Sequence, residues 1–270
     1  MSRGIVALLA AASALTLAAT ANAASEWVDR GLTMRQFGVA VDAGLGIAHS
    51  PGVGVSAGGV NLDGAFGILD NFEVGLRFGV RIGDHDAKSL QADQYGRLFD
   101  LQTYGTGGDL FANPELRLTG RVLDLSVIEV GIEGRTYLPI EDGTRFSFLL
   151  GAPVRLHFLR ILRIDTGLYV PVSFFAAEGG TSNAVSVNIP AEFWFQATRD
   201  FFVGPLTEVR LNNSDGALST DHGAGLLLGV GLGYQISRFA DFKASFLFPR
   251  LIGATGPDFA AGIGVGLHFD

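Results

Sequence analysis

Acidic and basic side chains recur in one of the two alternating rows of stretches that are otherwise apolar or rich in glycine. In residues 72–82, Glu73, Arg77 and Arg81 occupy one row, and phenylalanine, valine, leucine and isoleucine occupy the other. Charges of both signs that line a narrow channel can select small solutes passing through it. The residues that we predict to form such a lumen or constriction are Glu73, Arg77, Arg81, Glu115, Arg117, Arg121, Glu129, Glu133 and Arg155.

The same charges allow a second interpretation. Side chains can fill the interior of an eight-stranded barrel, and a moderately wider barrel can be filled in the same way. Arginines and glutamates on neighbouring strands would then neutralise one another and close the interior. The sequence leaves both possibilities open.

The elements that position these charges are strands. Every second residue from Phe146 to Phe158 is apolar, whereas Arg155 and His157 lie in the opposite row. Such alternation is the two-residue period of a β-strand, whose successive side chains point to opposite faces. The same pattern recurs from residue 35 to the end of the chain.

Turn signals divide the alternating segments into about twelve strands. Short connections alternate with longer ones, of which 83–112 is the longest. Short turns at one end and longer loops at the other are typical of outer-membrane barrels, whose termini lie on the periplasmic side. The predicted strands are 35–48, 53–69, 72–82, 113–122, 127–138, 144–159, 162–175, 184–197, 201–211, 223–236, 240–250 and 259–269.

A soluble β-sandwich is the main alternative fold. Its strands usually span about 5–6 residues, whereas the segments here reach or exceed the roughly 9–11 residues that cross a bilayer at a tilt. The opposite rows are largely glycine and alanine with scattered charge, which suits a narrow lumen. We therefore predict an all-β fold, a single transmembrane antiparallel up-and-down β-barrel of about twelve strands, with the apolar rows facing lipid.

The N-terminus has the features of a secretory signal peptide. Arg3 precedes an apolar run from Ile5 to Ala19, and a small-residue cleavage site follows at Ala21–Ala23. We predict that residues 1–23 are the signal peptide and that 24–270 form the barrel domain. The sequence contains no cysteine, which excludes disulfides and thiolate ligands.

Two motifs resemble known families. The ending "GIGVGLHFD" resembles the C-terminal assembly signal of bacterial outer-membrane proteins, with Gly264, Leu267 and Phe269 at the matching positions. The hairpin "FGILDNFEVGLRFGV", Phe66 to Val80, is similar to those of transporter-like and porin-like outer-membrane barrels of Gram-negative bacteria. The resemblance implies export to the outer membrane and recognition by the barrel-assembly machinery.

These features support two functional hypotheses. The first is a narrow polar pore for passive transport of small solutes. The second is a barrel with a closed lumen that acts as a surface anchor or interaction protein through its loops, chiefly 83–112. The expected partners are outer-membrane lipid, the assembly machinery and small solutes. Nucleic acid is not expected, because the formal net charge is -8 and no basic stripe is present.

Enzymatic activity is not predicted. Ser219, Asp221 and His222 lie close together in one predicted loop, where neighbouring residues do not generally form the geometry of a nucleophile and its base. The five histidines have no helical i, i+4 spacing, so the sequence indicates no metal site. No cofactor is expected.

Overall fold

The computed structural model describes residues 27–50, 55–83, 111–140, 144–159, 161–177, 180–214, 223–237, 239–248, 251 and 259–269. The predicted signal peptide, 1–23, and most of the predicted long loop, 84–110, lie outside these ranges. Ser219, Asp221 and His222 lie outside them as well. Among the described residues, no helix is long and apolar enough to span a membrane.

The described residues form twelve β-strands that close into one barrel. Each strand pairs antiparallel with its neighbours in sequence, and β1 also pairs with β12, from Val39 opposite Phe269 to His49 opposite Phe259. This closed up-and-down order confirms the predicted fold and excludes the sandwich. The strands are β1 Val39–Ser50, β2 Val55–Leu69, β3 Phe72–Gly83, β4 Glu115–Asp124, β5 Ile128–Tyr137, β6 Thr144–Phe158, β7 Leu162–Ala177, β8 Gly180–Gln196, β9 Phe201–Ser214, β10 Gly223–Ser237, β11 Ala240–Phe248 and β12 Phe259–Phe269.

The two faces of the barrel have the polarity that the alternation predicts. In β6, Leu150 is 60% exposed on the outside, whereas the adjacent Leu149 and Ser147 are fully buried inside. In β5, Ile132 is exposed and its neighbour Glu133 is buried. Apolar side chains thus cover the outside and charged side chains are enclosed, which is the reverse of a soluble protein and suits a surface surrounded by acyl chains.

One end of the barrel carries uniformly short connections. We call this the short-turn end; its connections join β2 to β3, β4 to β5, β6 to β7, β8 to β9 and β10 to β11. In outer-membrane barrels this end faces the periplasm. The opposite end includes the longest connection, between β3 and β4.

The predicted loop at 176–183 is wrong. β7 continues to Ala177 and β8 begins at Gly180, and the two strands pair up to that hairpin. Alanine, serine and threonine in this stretch are compatible with a strand that extends past the bilayer. The polar composition indicated a loop of eight residues, whereas only 178–179 lie between the two strands.

Candidate functional site

Most of the predicted lumen residues lie together on the inner face of β3–β6. Arg77 Nε lies 3.0 Å from Asp63 Oδ2, and Arg77 Nη1 lies 3.7 Å from Glu115 Oε2. Arg117 Nη2 lies 3.3 Å from Asp63 Oδ1 and 3.7 Å from Glu73 Oε1. Charges of opposite sign therefore alternate across β2, β3 and β4.

A second group of ion pairs continues this network across β4 and β5. Arg135 Nε lies 2.7 Å from Glu133 Oε1, and its Nη1 lies 3.5 Å from Glu115 Oε1. Thr119 donates a hydrogen bond of 3.2 Å to Glu133. All of these side chains are buried. Arg135 is therefore part of the same inner network.

A third group lies nearer the short-turn end. Arg121 Nη1 lies 2.9 Å from Glu129 Oε2, and His157 Nε2 lies 2.9 Å from Glu129 Oε1. Arg155 pairs with Asp165 across β6 and β7. We call the inner charges of β2–β7 the charged wall. Arg81 lies in β3 opposite Gly59 of β2.

An apolar cluster lies on the opposite side of the interior, among buried polar residues such as Glu208 and Asp241. Leu206, Leu227, Leu247 and Ala260 form a buried cluster on β9–β12, against which Trp194 of β8 packs. We call these five residues the apolar wall. Inner rows made mainly of glycine and alanine with scattered charge were expected. Those of β10 and β12 are largely glycine and alanine, whereas Leu206, Leu227 and Leu247 were not expected to point inward.

Glycines on the neighbouring strand make room for the aromatic rings beside the apolar wall. A Cβ at Gly231 would overlap the Trp194 ring, and a Cβ at Gly233 would overlap the Phe202 ring. Both glycines lie in β10, in the row that points inward. Glycine and large side chains thus interlock to fill this side.

The segment before β1 lies inside the short-turn end of the barrel. None of residues 27–36, which we call the strap, belongs to a strand. The ring of Trp27 stacks on Phe202 at 3.7 Å between centroids and meets the edge of Trp194 at 5.1 Å. The guanidinium of Arg163 lies 3.7 Å from the centre of the Trp27 ring. Trp27 therefore anchors the start of the strap beside β7–β9.

The charged wall binds the carbonyl groups of the strap. Arg163 Nη1 donates to the Trp27 carbonyl at 2.9 Å. Arg155 Nη1 donates to the Arg30 carbonyl at 3.0 Å and also contacts the Gly31 carbonyl. His157 Nδ1 lies 3.0 Å from the Val28 carbonyl.

Carboxylates of the same wall bind the amide groups of the strap. The Leu32 amide donates to Glu129 Oε2 at 2.8 Å, and the Met34 amide donates to Glu73 Oε2 at 3.0 Å. Three predicted lumen residues, Glu73, Glu129 and Arg155, thus bind a peptide backbone as well as lining the interior. The strap was not predicted, because it has no alternation. The one signal for it was an isolated tryptophan, Trp27, one of two in the chain and twelve residues before β1.

A further charged cluster connects the strap to β11, β12 and β1. Arg30 Nη1 lies 2.7 Å from Asp241 Oδ2, and His268 Nε2 lies 3.3 Å from the same oxygen. Lys243 Nζ lies 3.0 Å from Asp42 Oδ1 and 3.4 Å from Asp241 Oδ1. Asp42, Asp241 and His268 are close enough together to bind a metal ion. However, Lys243 and Arg30 together already neutralise the two carboxylates, so this cluster does not suit a metal.

A cavity of about 1270 Å³ lies between the strap and the barrel wall. Among the described residues, its lining comes from the strap, the short turns and strands β1–β7, β11 and β12, and not from β8, β9 or β10. The cavity therefore follows the charged wall and avoids the apolar wall. Its charged lining residues are Asp29, Arg30, Arg35, Asp42, Asp63, Asp70, Glu73, Arg117, Arg121, Asp124, Glu129, Arg155, Arg163 and Lys243.

The residues of the predicted assembly signal lie on β12 at the closure of the barrel. Gly264 pairs with Gly44, and Leu267 pairs with Val41. Leu267 and Phe269 are exposed on the outer face, and Phe269 stacks with Phe239 at 5.9 Å between centroids. Recognition of these residues by the assembly machinery stays a prediction.

Comparison with known proteins identifies solved structures of the same fold but no family of similar sequence. No family model matches the chain, and no curated protein matches it. Among solved structures, the NanC porin superposes with a TM-score of 0.60 at 9% identity, covering 84% of this chain and 98% of that one. The barrel has the fold of porin-like outer-membrane channels.

Two further structures agree with this assignment. An outer membrane channel from Pseudomonas putida F1 has a TM-score of 0.58 at 12% identity, covering 89% of this chain and 98% of its own. The KdgM porin has a TM-score of 0.53 at 9% identity, covering 86% of this chain and 99% of its own. At such identities the similarity is one of fold alone.

Proposed function

We propose that this chain is an outer-membrane barrel through which small polar solutes pass by diffusion. The observation that carries the proposal is the cavity along the charged wall, which is enclosed by a barrel whose outer surface is apolar. The similarity to porins and to an outer membrane channel supports the same class of function. Lipid around the barrel and the assembly machinery are the proposed partners, and export through the predicted signal peptide is part of the proposal.

The lining of the cavity favours solutes that tolerate charges of both signs. Seven acidic and seven basic side chains line it. Most of them are paired with each other, so the passage carries little net charge and the expected ion preference is weak. Small polar or zwitterionic solutes fit this lining better than apolar ones, since they replace the hydration of the charged groups with hydrogen bonds.

A closed barrel that serves as a surface anchor is the second candidate. Two observations favour it: the strap occupies the short-turn end, and the apolar wall fills the other side of the interior. In this case the loops would carry the function. The two candidates differ in whether a continuous water path exists.

Single-channel recording from folded protein in planar bilayers tests the pore. Discrete conductance steps are expected. Arg121→Glu changes a charge that lines the cavity and is expected to shift the reversal potential in a salt gradient toward cation preference. The matched control is Arg199→Glu, the same charge change on the exposed 197–200 turn outside the cavity lining. Silent bilayers with verified folded protein would reject the pore in favour of the anchor, and equal reversal potentials for the two variants would reject the charged wall as the path.

A further inference from the structure

The strap is held by side-chain contacts rather than by strand pairing. Its polar anchors include hydrogen bonds that Arg155 and Arg163 donate to its carbonyls and that Glu73 and Glu129 accept from its amides. Hydrogen bonds of this kind can be exchanged for bonds to water at the mouth of a barrel, with a small net change in free energy. A strand within the closed sheet cannot leave so easily, because its whole ladder would open.

The wall groups that hold the strap also have partners in the wall itself. Without the strap, Glu129 still pairs with Arg121, and Arg155 still pairs with Asp165. Asp241, which binds Arg30 of the strap, retains Lys243 and His268. Departure of the strap therefore leaves no isolated charge in the interior, which is the main cost of breaking a buried ion pair.

The strap has a fixed end and a free space beside it. Phe37 donates its amide to the Gly67 carbonyl at 2.7 Å, and the Gly67 amide donates to the Gly38 carbonyl at 2.9 Å, so residues 37–38 are fixed to β2. Phe37 has a φ of 64°, a sharp left-handed turn at the base of the strap. The cavity adjoins the strap along residues 29–35. Within the described residues, these features outline a flap that extends from its base at Phe37 to Trp27.

We propose that the strap is a displaceable gate at the short-turn mouth, whose movement away from the charged wall widens the solute path. The gate acts on the pore proposed above and rests on that function. Trp27 is the principal apolar anchor of the closed position, because its ring lies between Phe202, Trp194 and Arg163. Opening exposes the peptide-binding side chains Glu73, Glu129, Arg155 and Arg163 to the passing solute.

A reversible disulfide tests the gate. The chain contains no cysteine, and a Cβ built on Gly131 would lie 2.9 Å from Leu32 Cδ2. In the variant Leu32→Cys/Gly131→Cys, oxidation ties the strap to β5 and reduction frees it. The single variants Leu32→Cys and Gly131→Cys, oxidised in the same way, are the matched controls.

A second pair of cysteine substitutions is available if Gly131→Cys prevents folding. A Cβ on Gly31 would lie 3.2 Å from Arg121 Nη1. Gly31→Cys/Arg121→Cys, joined by a short reducible bis-methanethiosulfonate linker, ties the strap to β4 without crowding Gly131.

Two readouts separate the gate from the pore. Single-channel recording is expected to show a larger conductance level in the reduced protein that is lost on oxidation. In a Trp194→Phe background Trp27 is the only tryptophan, and iodide quenching of its fluorescence is expected to be stronger in the reduced form than in the oxidised form.

The outcomes are distinct. Quenching that depends on the redox state, together with silent bilayers in both states, supports strap displacement and rejects the pore. Quenching that is identical in both states overturns the gate, whatever the conductance. A conductance that is identical in both states, with quenching that differs, also overturns the gate, because the strap then moves without controlling the path.

Discussion

The charged wall and the apolar wall fill the same barrel interior by different means. On β2–β7, arginines and carboxylates pair across neighbouring strands and leave a cavity beside them. On β8–β12, leucines and a tryptophan pack into a cluster that the cavity does not reach. Charged side chains retain water and polar partners, whereas apolar side chains exclude them. Under the proposed function, solutes pass along the charged wall and not along the apolar wall.

Removal of a charge from the charged wall is expected to have the largest effect on stability. Glu115 lies between Arg77 and Arg135, so Glu115→Ala leaves two buried guanidinium groups without this partner. The free energy of unfolding is expected to fall by about 3–5 kcal/mol. Urea unfolding in lipid vesicles, followed by tryptophan fluorescence, measures it. A fall below about 1 kcal/mol, typical of exposed pairs, would show that water already screens this wall.

A truncation in the apolar wall is expected to have a somewhat smaller effect. Leu227 is fully buried, and Leu227→Ala is expected to lower the free energy of unfolding by about 2–4 kcal/mol through the cavity that it leaves. Leu228 is the next residue and faces outward, so Leu228→Ala is the matched control, with an expected loss under about 1 kcal/mol because mobile acyl chains refill the space. The same unfolding measurement applies. Equal losses for the two variants would contradict the assignment of inner and outer rows.

The smallest effect is expected from an added methyl group. A Cβ at Gly233 would overlap the Phe202 ring, so Gly233→Ala is expected to lower the free energy of unfolding by about 1–3 kcal/mol. At Gly134 a Cβ meets nothing within 4 Å, and Gly134→Ala is expected to change stability by less than about 0.5 kcal/mol. If Gly233→Ala changes the free energy of unfolding as little as its control does, the close contact of Phe202 with β10 is contradicted.

Alternation in the sequence was sufficient to predict the strands, the closed barrel and the exposed row of β6 from Phe146 to Phe158. It did not predict that Leu149 and Leu227 point inward. Alternation assigns residues to two rows. Where both rows contain leucine, the alternation alone does not show which row faces lipid. The small and polar residues at 176–183 indicate a loop, but most of them pair between β7 and β8 as the end of a hairpin.

The candidate site was predicted only in part. Neighbouring strands bring Arg77 close to Glu115 and Arg121 close to Glu129, which pairing of consecutive strands already implies. The strap was not predictable, because its conformation depends on side chains from strands far away in sequence. His157 and Arg163, for example, contact carbonyls more than a hundred residues before them.

Thiol accessibility tests most directly whether solutes pass along the charged wall. Ala65 lines the cavity and Ala260 belongs to the apolar wall, and both are small, buried residues of the inner face. In a chain without native cysteine, Ala65→Cys and Ala260→Cys each introduce one thiol. A charged methanethiosulfonate reagent is expected to modify Ala65→Cys rapidly and to reduce its conductance, and to leave Ala260→Cys unmodified. Equal modification of the two variants, or modification of Ala260→Cys alone, would contradict the account.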